Sequence, residues 1–116
     1  MIALSACTQS GSQSGKTTPL SMMTSVAKQV QQCWFKKKDP AFRAYKMASE
    51  LDSYSGKPRI LIVPKSNPAG LPKLVAQAER IKGTVQFTSF GPLLASAEGS
   101  RLNNQLLRWS QGTKTC

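Results

Sequence analysis

The 116-residue chain has no histidine, so it lacks the side chain most often used as a general base near neutral pH and one of the commonest metal ligands. Acids are almost as scarce. Asp39, Glu50, Asp52, Glu79 and Glu98 are the entire supply, and they are scattered along the chain. Serine is plentiful but has no histidine to activate it, and no two carboxylates sit together for acid–base work. A metal site would need ligands that this chain does not possess. No apolar run approaches the ~20 residues of a membrane-spanning helix, so any membrane attachment has to be through a lipid or at a surface. There is no Cys-x-x-Cys pair and no internal repeat. The expectation is a protein without catalytic activity, cofactor or metal.

What the chain has in excess is positive charge. Sixteen Lys and Arg against five Asp and Glu give a formal net charge of +11. Such a chain seeks polyanions: nucleic acid, anionic lipid head groups, lipopolysaccharide phosphates or acidic protein surfaces. The hydrophobic fraction of 40% permits one domain with a modest core, of the size that a covalent staple helps most.

The first seven residues end in Leu4-Ser5-Ala6-Cys7, an apolar residue and two small ones before a cysteine. This resembles a bacterial lipobox, in which the chain is cut before the cysteine and the cysteine is acylated. The resemblance implies an exported, lipid-anchored protein, with Thr8 in place of the aspartate associated with inner-membrane retention and hence an outer-membrane address facing the periplasm. A full signal peptide would carry an early Lys or Arg and a longer apolar stretch. Residues 1–6 therefore read as the remnant of a truncated one, and residues 7–19 as a flexible tether rich in Ser, Gly, Thr and Gln. Gly11 to Thr17 imitates a phosphate-cradling P-loop, but only three residues separate Gly11 from Gly15 where four are needed to aim the backbone N–H groups. Ser25-x-x-Lys28 imitates the acylation motif of penicillin-binding proteins without its partner motifs.

Residues 20–116 read as a single α+β domain. Met23, Val26, Val30 and Cys33/Trp34 recur at helical spacing, with Thr18 or Ser21 as the cap, and the helix is expected to end near Phe35. Residues 40–51 fit a helix or a strand. Arg59–Pro64 is the clearest strand, β-branched and apolar on both faces. Leu74, Ala76 and Ala78 alternate in a second, over Lys73 to Ile81, where a short helix is also conceivable; Val85 and Phe87 alternate in a third. Leu102, Leu106 and Trp109 share one face of a last helix, capped by Ser96 or Ser100 and ended by Gly112. The predicted architecture is a small antiparallel sheet of about three strands with the N- and C-terminal helices packed on it. With Cys7 taken by lipid, Cys33 and Cys116 form an even pair at two helix ends, and a bridge closing ~80 residues would stabilise by about 4 kcal/mol. The order helix, Cys33-Trp34, strand, Asn67-Pro-Ala-Gly70 turn, strand, helix and closing Cys116 resembles the C-terminal domain of TolA and, more distantly, TonB. It departs from that pattern by an insertion at 36–56 and a further strand at 84–90. The resemblance implies a periplasmic binding scaffold.

The basic residues fall into two regions. Lys36, Lys37, Lys38, Arg43 and Lys46 surround the single acid Asp39 and interleave with Trp34, Phe35 and Tyr45. Lys57, Arg59, Lys65 and Lys73 follow the strand-and-turn region. The first region is the candidate surface for an anionic partner. Lipopolysaccharide, anionic lipid or an acidic envelope protein is the expected occupant, in a binding or structural envelope component. A cytosolic nucleic-acid-binding protein is the alternative, without an RNA-binding signature to support it.

Overall fold

The computed structural model describes residues 10–13, 17–52 and 56–116, the first of these by its backbone. Cys7 and the expected signal remnant lie outside the described residues. The first helix, α1 (Pro19–Val30), starts at a reciprocal cap. The Ser21 N–H donates to Thr18 Oγ1 and the Thr18 N–H donates to Ser21 Oγ, both at 3.0 Å. Pro19 fits here because the first turn leaves its N–H unused. Met22, Met23, Val26, Ala27 and Val30 form the buried face. The helix then widens into a π turn over Gln31–Lys36. That wider turn lets two consecutive residues, Cys33 and Trp34, both face inward.

A short 3-10 turn (Pro40–Phe42) follows, capped by Asp39, whose Oδ1 accepts the Ala41 N–H at 3.0 Å. Four strands come next: β2 (Tyr45–Glu50), β3 (Arg59–Pro64), β4 (Leu74–Ile81) and β5 (Thr84–Phe90). A fifth, β1 (Ser10–Gln13), precedes α1. The sheet is antiparallel throughout, in the order β1-β5-β4-β3-β2. Lys82 and Gly83 make the β4–β5 turn with φ values of 52° and 84°, the two left-handed residues that a tight hairpin requires. A 3-10 turn (Pro92–Ala95) leads to α2 (Gly99–Ser110).

Both helices pack on one face of this sheet. Ile60, Ile62, Leu74, Ala76, Ala78, Val85 and Phe87 meet α1 and the Leu102, Leu106 and Trp109 face of α2. Ala76 and Ala78 are small, which gives α1 room to seat on β4. Among the described residues no buried side-chain polar atom lacks a partner. A disulfide joins Cys33 to Cys116 across 83 positions, with Cα atoms 5.6 Å apart. In the chain-entropy description a loop of this length is worth about 4.5 kcal/mol. The end of the chain is also held by hydrogen bonds. Trp109 Nε1–H donates to the Thr115 carbonyl at 2.8 Å, and Gln105 Nε2–H donates to the Cys116 carbonyl at 3.3 Å.

The α+β class, the two packed helices and the disulfide are as expected from the sequence. The sheet is larger than three strands. The ambiguous 40–51 segment resolves into the capped 3-10 turn and β2, because Asp39 and Pro40 favour a tight turn that delivers the chain to the edge of β3. Within the stretch 7–19, read as a flexible tether, Ser10–Gln13 form β1, and α1 begins at Pro19 behind the Thr18 cap. The α2 start also differs: Glu98 precedes Gly99 without a side-chain cap. Gly99 is buried there, and a Cβ would collide with the Leu94 carbonyl.

Candidate functional site

The run from the end of the π turn to the start of β2 folds back on itself at one corner of the sheet. The N–H groups of Lys37, Lys38 and Asp39 donate to the carbonyls of Gln32, Phe35 and Trp34, which closes the helix end. Lys38 does this with φ 56°, a left-handed conformation in which glycine would be easier by on the order of 1 kcal/mol. Arg43 and Lys46 follow the 3-10 turn. Lys65 comes from the far end of β3, its N–H donating to the Ala44 carbonyl at 2.9 Å.

Between these pieces lies a cleft of about 440 Å³. Lys38, Arg43, Lys46 and Lys65 line it, and all four are exposed. Its wall is aromatic. Phe42 stacks on Trp34 with ring centroids 4.3 Å apart and planes 12° from parallel. Phe35 and Tyr45, both half-buried, meet Phe42 at 5.6 and 6.5 Å. On the core side Trp34 continues to Trp109 at 5.5 Å, and Trp34 Nε1–H donates to Gln105 Oε1 at 2.8 Å. The wall of the cleft is therefore the outer end of the core's own aromatic cluster, and it is fixed by core packing.

Charge inside the cleft is unbalanced. Among the described residues Asp39 is its single acid, and that carboxylate is already engaged. Oδ2 accepts Arg101 Nη1–H at 2.8 Å, while Oδ1 accepts Arg101 Nη2–H at 3.3 Å and the Ala41 N–H at 3.0 Å. Burial pushes the Asp39 carboxyl up, but the Arg101 hydrogen bonds, the Ala41 N–H and the Arg101 charge together outweigh it, so it stays below the usual carboxylate range. The hydrogen bonds to Asp39 and then Glu98 raise the Arg101 guanidinium above its ordinary value. Elsewhere Lys57 pairs with Glu79 at 3.7 Å and Arg59 with Glu50 at 2.7 Å. Among the described residues, none of Lys38, Arg43, Lys46 and Lys65 takes part in an ion pair.

A larger depression of about 720 Å³ shares Asp39 with the cleft and is lined by Lys37, Glu98 and Arg101 among others. Its charges largely satisfy one another, because Arg101 pairs with both Asp39 and Glu98. The unpaired cations favour the aromatic cleft as the site.

Of the five basic residues singled out in sequence, Lys38, Arg43 and Lys46 converge on the cleft. Lys37 lines the neighbouring depression, and Lys36 is exposed beside both without lining either. Lys65 belonged to the other basic region by sequence and joins the site through the β2–β3 pairing. Reading 44–50 as the strand opposite 59–65 would have found it. The P-loop imitation fails in three dimensions as well, since Gly11 lies within β1. Among the described residues no group of His, Cys, Asp and Glu side chains could hold a metal ion, and no helix is long and apolar enough to cross a membrane. Comparison with known proteins finds no matching family, no matching characterised protein and no matching solved structure.

Proposed function

We propose that this is a small envelope lipoprotein with a binding or structural role. Cys7 carries the lipid, the outer membrane holds that lipid, and the disulfide-closed α+β domain faces the periplasm. Its basic surface serves lipopolysaccharide, anionic lipid or an acidic envelope protein. The observation that carries this reading is the cleft itself: four cations without acidic partners among the described residues, set around an aromatic wall. The Cys33–Cys116 bridge supports it too, since disulfides persist in oxidising compartments such as the periplasm and are rare in the cytosol. The order of elements and the Cys33-Trp34/Cys116 arrangement keep the likeness to the TolA C-terminal domain within the same proposal, as a periplasmic scaffold.

Intact-mass measurement of the protein extracted from its native envelope tests it. Acyl chains on a cysteine N-terminus at position 7, with two hydrogens missing from the remaining cysteines, is the expected result. An unmodified chain with three free thiols would sink the proposal and favour a cytosolic nucleic-acid-binding protein.

A further inference from the structure

We infer that the cleft beside Trp34 binds a dianionic phosphomonoester carried on a flat or apolar body, such as a phosphorylated sugar ring or a phosphorylated lipid head. This rests on the reading of the basic region as a ligand-facing surface, and it names what that surface selects.

Three observations converge on this chemistry. The first is charge. Lys38, Arg43, Lys46 and Lys65 share one cleft, and the only acid among its described lining residues is held by Arg101 and the Ala41 N–H. Four like charges left without partners are best offset by a compact group of high charge density. A phosphomonoester brings close to two negative charges and three terminal oxygens, where a diester brings one charge and two. The planar fork of Arg43 suits two of those oxygens, and the lysine ammoniums act as point charges on the rest.

The second is the wall. Phe35 and Tyr45 are half-buried and backed by Phe42 and Trp34, so a ring or aliphatic body beside the phosphate meets a rigid apolar surface. A volume of about 440 Å³ accommodates one ring with its phosphate. Among the described residues the lining contains no Asn, Gln, Ser or Thr, so cationic and aromatic side chains dominate it and favour charge and shape as what the site selects.

The third is Lys38. The chain holds a lysine at φ 56°, where glycine would relieve the backbone, and that position supplies one of the four cations of the cleft. The conformation closes the helix end through the Lys38 and Asp39 N–H groups, and this fixes the backbone from which the Lys38 ammonium reaches the cleft.

Phenyl phosphate carries both halves of the recognised group and serves as the probe, by titration calorimetry at low salt. It is expected to bind at least tenfold more tightly than inorganic phosphate or diphenyl phosphate. Arg43→Gln and Lys65→Gln should each weaken it about fivefold or more. Lys38→Gly should weaken binding while raising the thermal midpoint, a combination that misfolding cannot produce. Vesicles of phosphatidylcholine with phosphatidic acid, compared with phosphatidylglycerol vesicles matched in surface charge, separate the sources. Preference for phosphatidic acid marks a lipid head group; equal binding to both, with tight phenyl phosphate, marks a soluble ligand. Phenyl phosphate that binds no better than inorganic phosphate, or that ignores Arg43→Gln and Lys65→Gln, overturns the inference. If anionic vesicles still bind in that case, and Lys36→Gln with Lys37→Gln weakens them, the broader basic-surface reading survives. If no anionic vesicle binds, that reading falls as well.

Discussion

Asp39 does three jobs with a single side chain. It caps the 3-10 turn, pairs with Arg101 of α2 and removes its own negative charge from the cleft. Its folded-state pKa lies below the ordinary value. A carboxyl depressed in this way contributes stability above its unfolded pKa, and the contribution disappears as pH falls through the folded value. Asp39→Ala should therefore cost about 1–2 kcal/mol at pH 7, combining a lost cap with a half-exposed ion pair. The gap between variant and parent in thermal midpoint should narrow as pH is lowered below about 4. A gap that persists unchanged at pH 2 would mean that packing, and not the carboxylate charge, is what Asp39 supplies. The same residue illustrates what a sequence conceals. Asp39-Pro40 is legible as a cap-like pair, but Arg101 lies 62 positions away, and nothing local announces the contact.

Among the elements, those with strong side-chain periodicity were legible and those built by backbone pairing were not. Ile60 to Val63 carry enough β-branched apolar character to fix β3 at its observed bounds of Arg59–Pro64. The α1 face of Met23, Val26 and Val30 is equally plain, and all three are fully buried. In contrast, β1 is Ser-Gly-Ser-Gln, with no apolar face, and it exists through its hydrogen bonds to β5. The 40–51 segment is ambiguous in sequence because Phe42, Tyr45, Ala48 and Leu51 match helical spacing, while a strand uses Tyr45 and Met47 inward. That uncertainty hid Lys65, whose place in the cleft depends on β2 lying against β3. Lys38, Arg43 and Lys46 were legible because they lie within nine positions of one another.

The Cys33–Cys116 bridge was accessible from cysteine arithmetic, and its energetic share can be measured. Cys116→Ser, which also frees the carbonyls that Trp109 and Gln105 hold, should lower the thermal midpoint by on the order of 10–20 °C. An unchanged midpoint under non-reducing conditions would show that the bridge restrains the chain without stabilising it.

For the molecule as a whole, the sheet order has a consequence for where ligand and anchor can be. Ser10 begins β1 at one edge, and the cleft lies by β2 at the opposite edge. Cys7 is three residues from Ser10, a reach of about 10 Å at most, whereas four strand spacings separate the two edges, about 19 Å. If the lipid is on Cys7, the sheet works as a spacer arm that holds the cleft away from the bilayer in which the protein is rooted. Lipid-modified protein on neutral vesicles should then recruit a second, anionic vesicle population and raise the light scattering of the mixture. Protein that binds only anionic lipid placed in its own vesicle would contradict this. On that proposal the five strands would be a short bridge with its foundation at the β1 edge and its hand at the β2 edge, holding two things apart while keeping them joined.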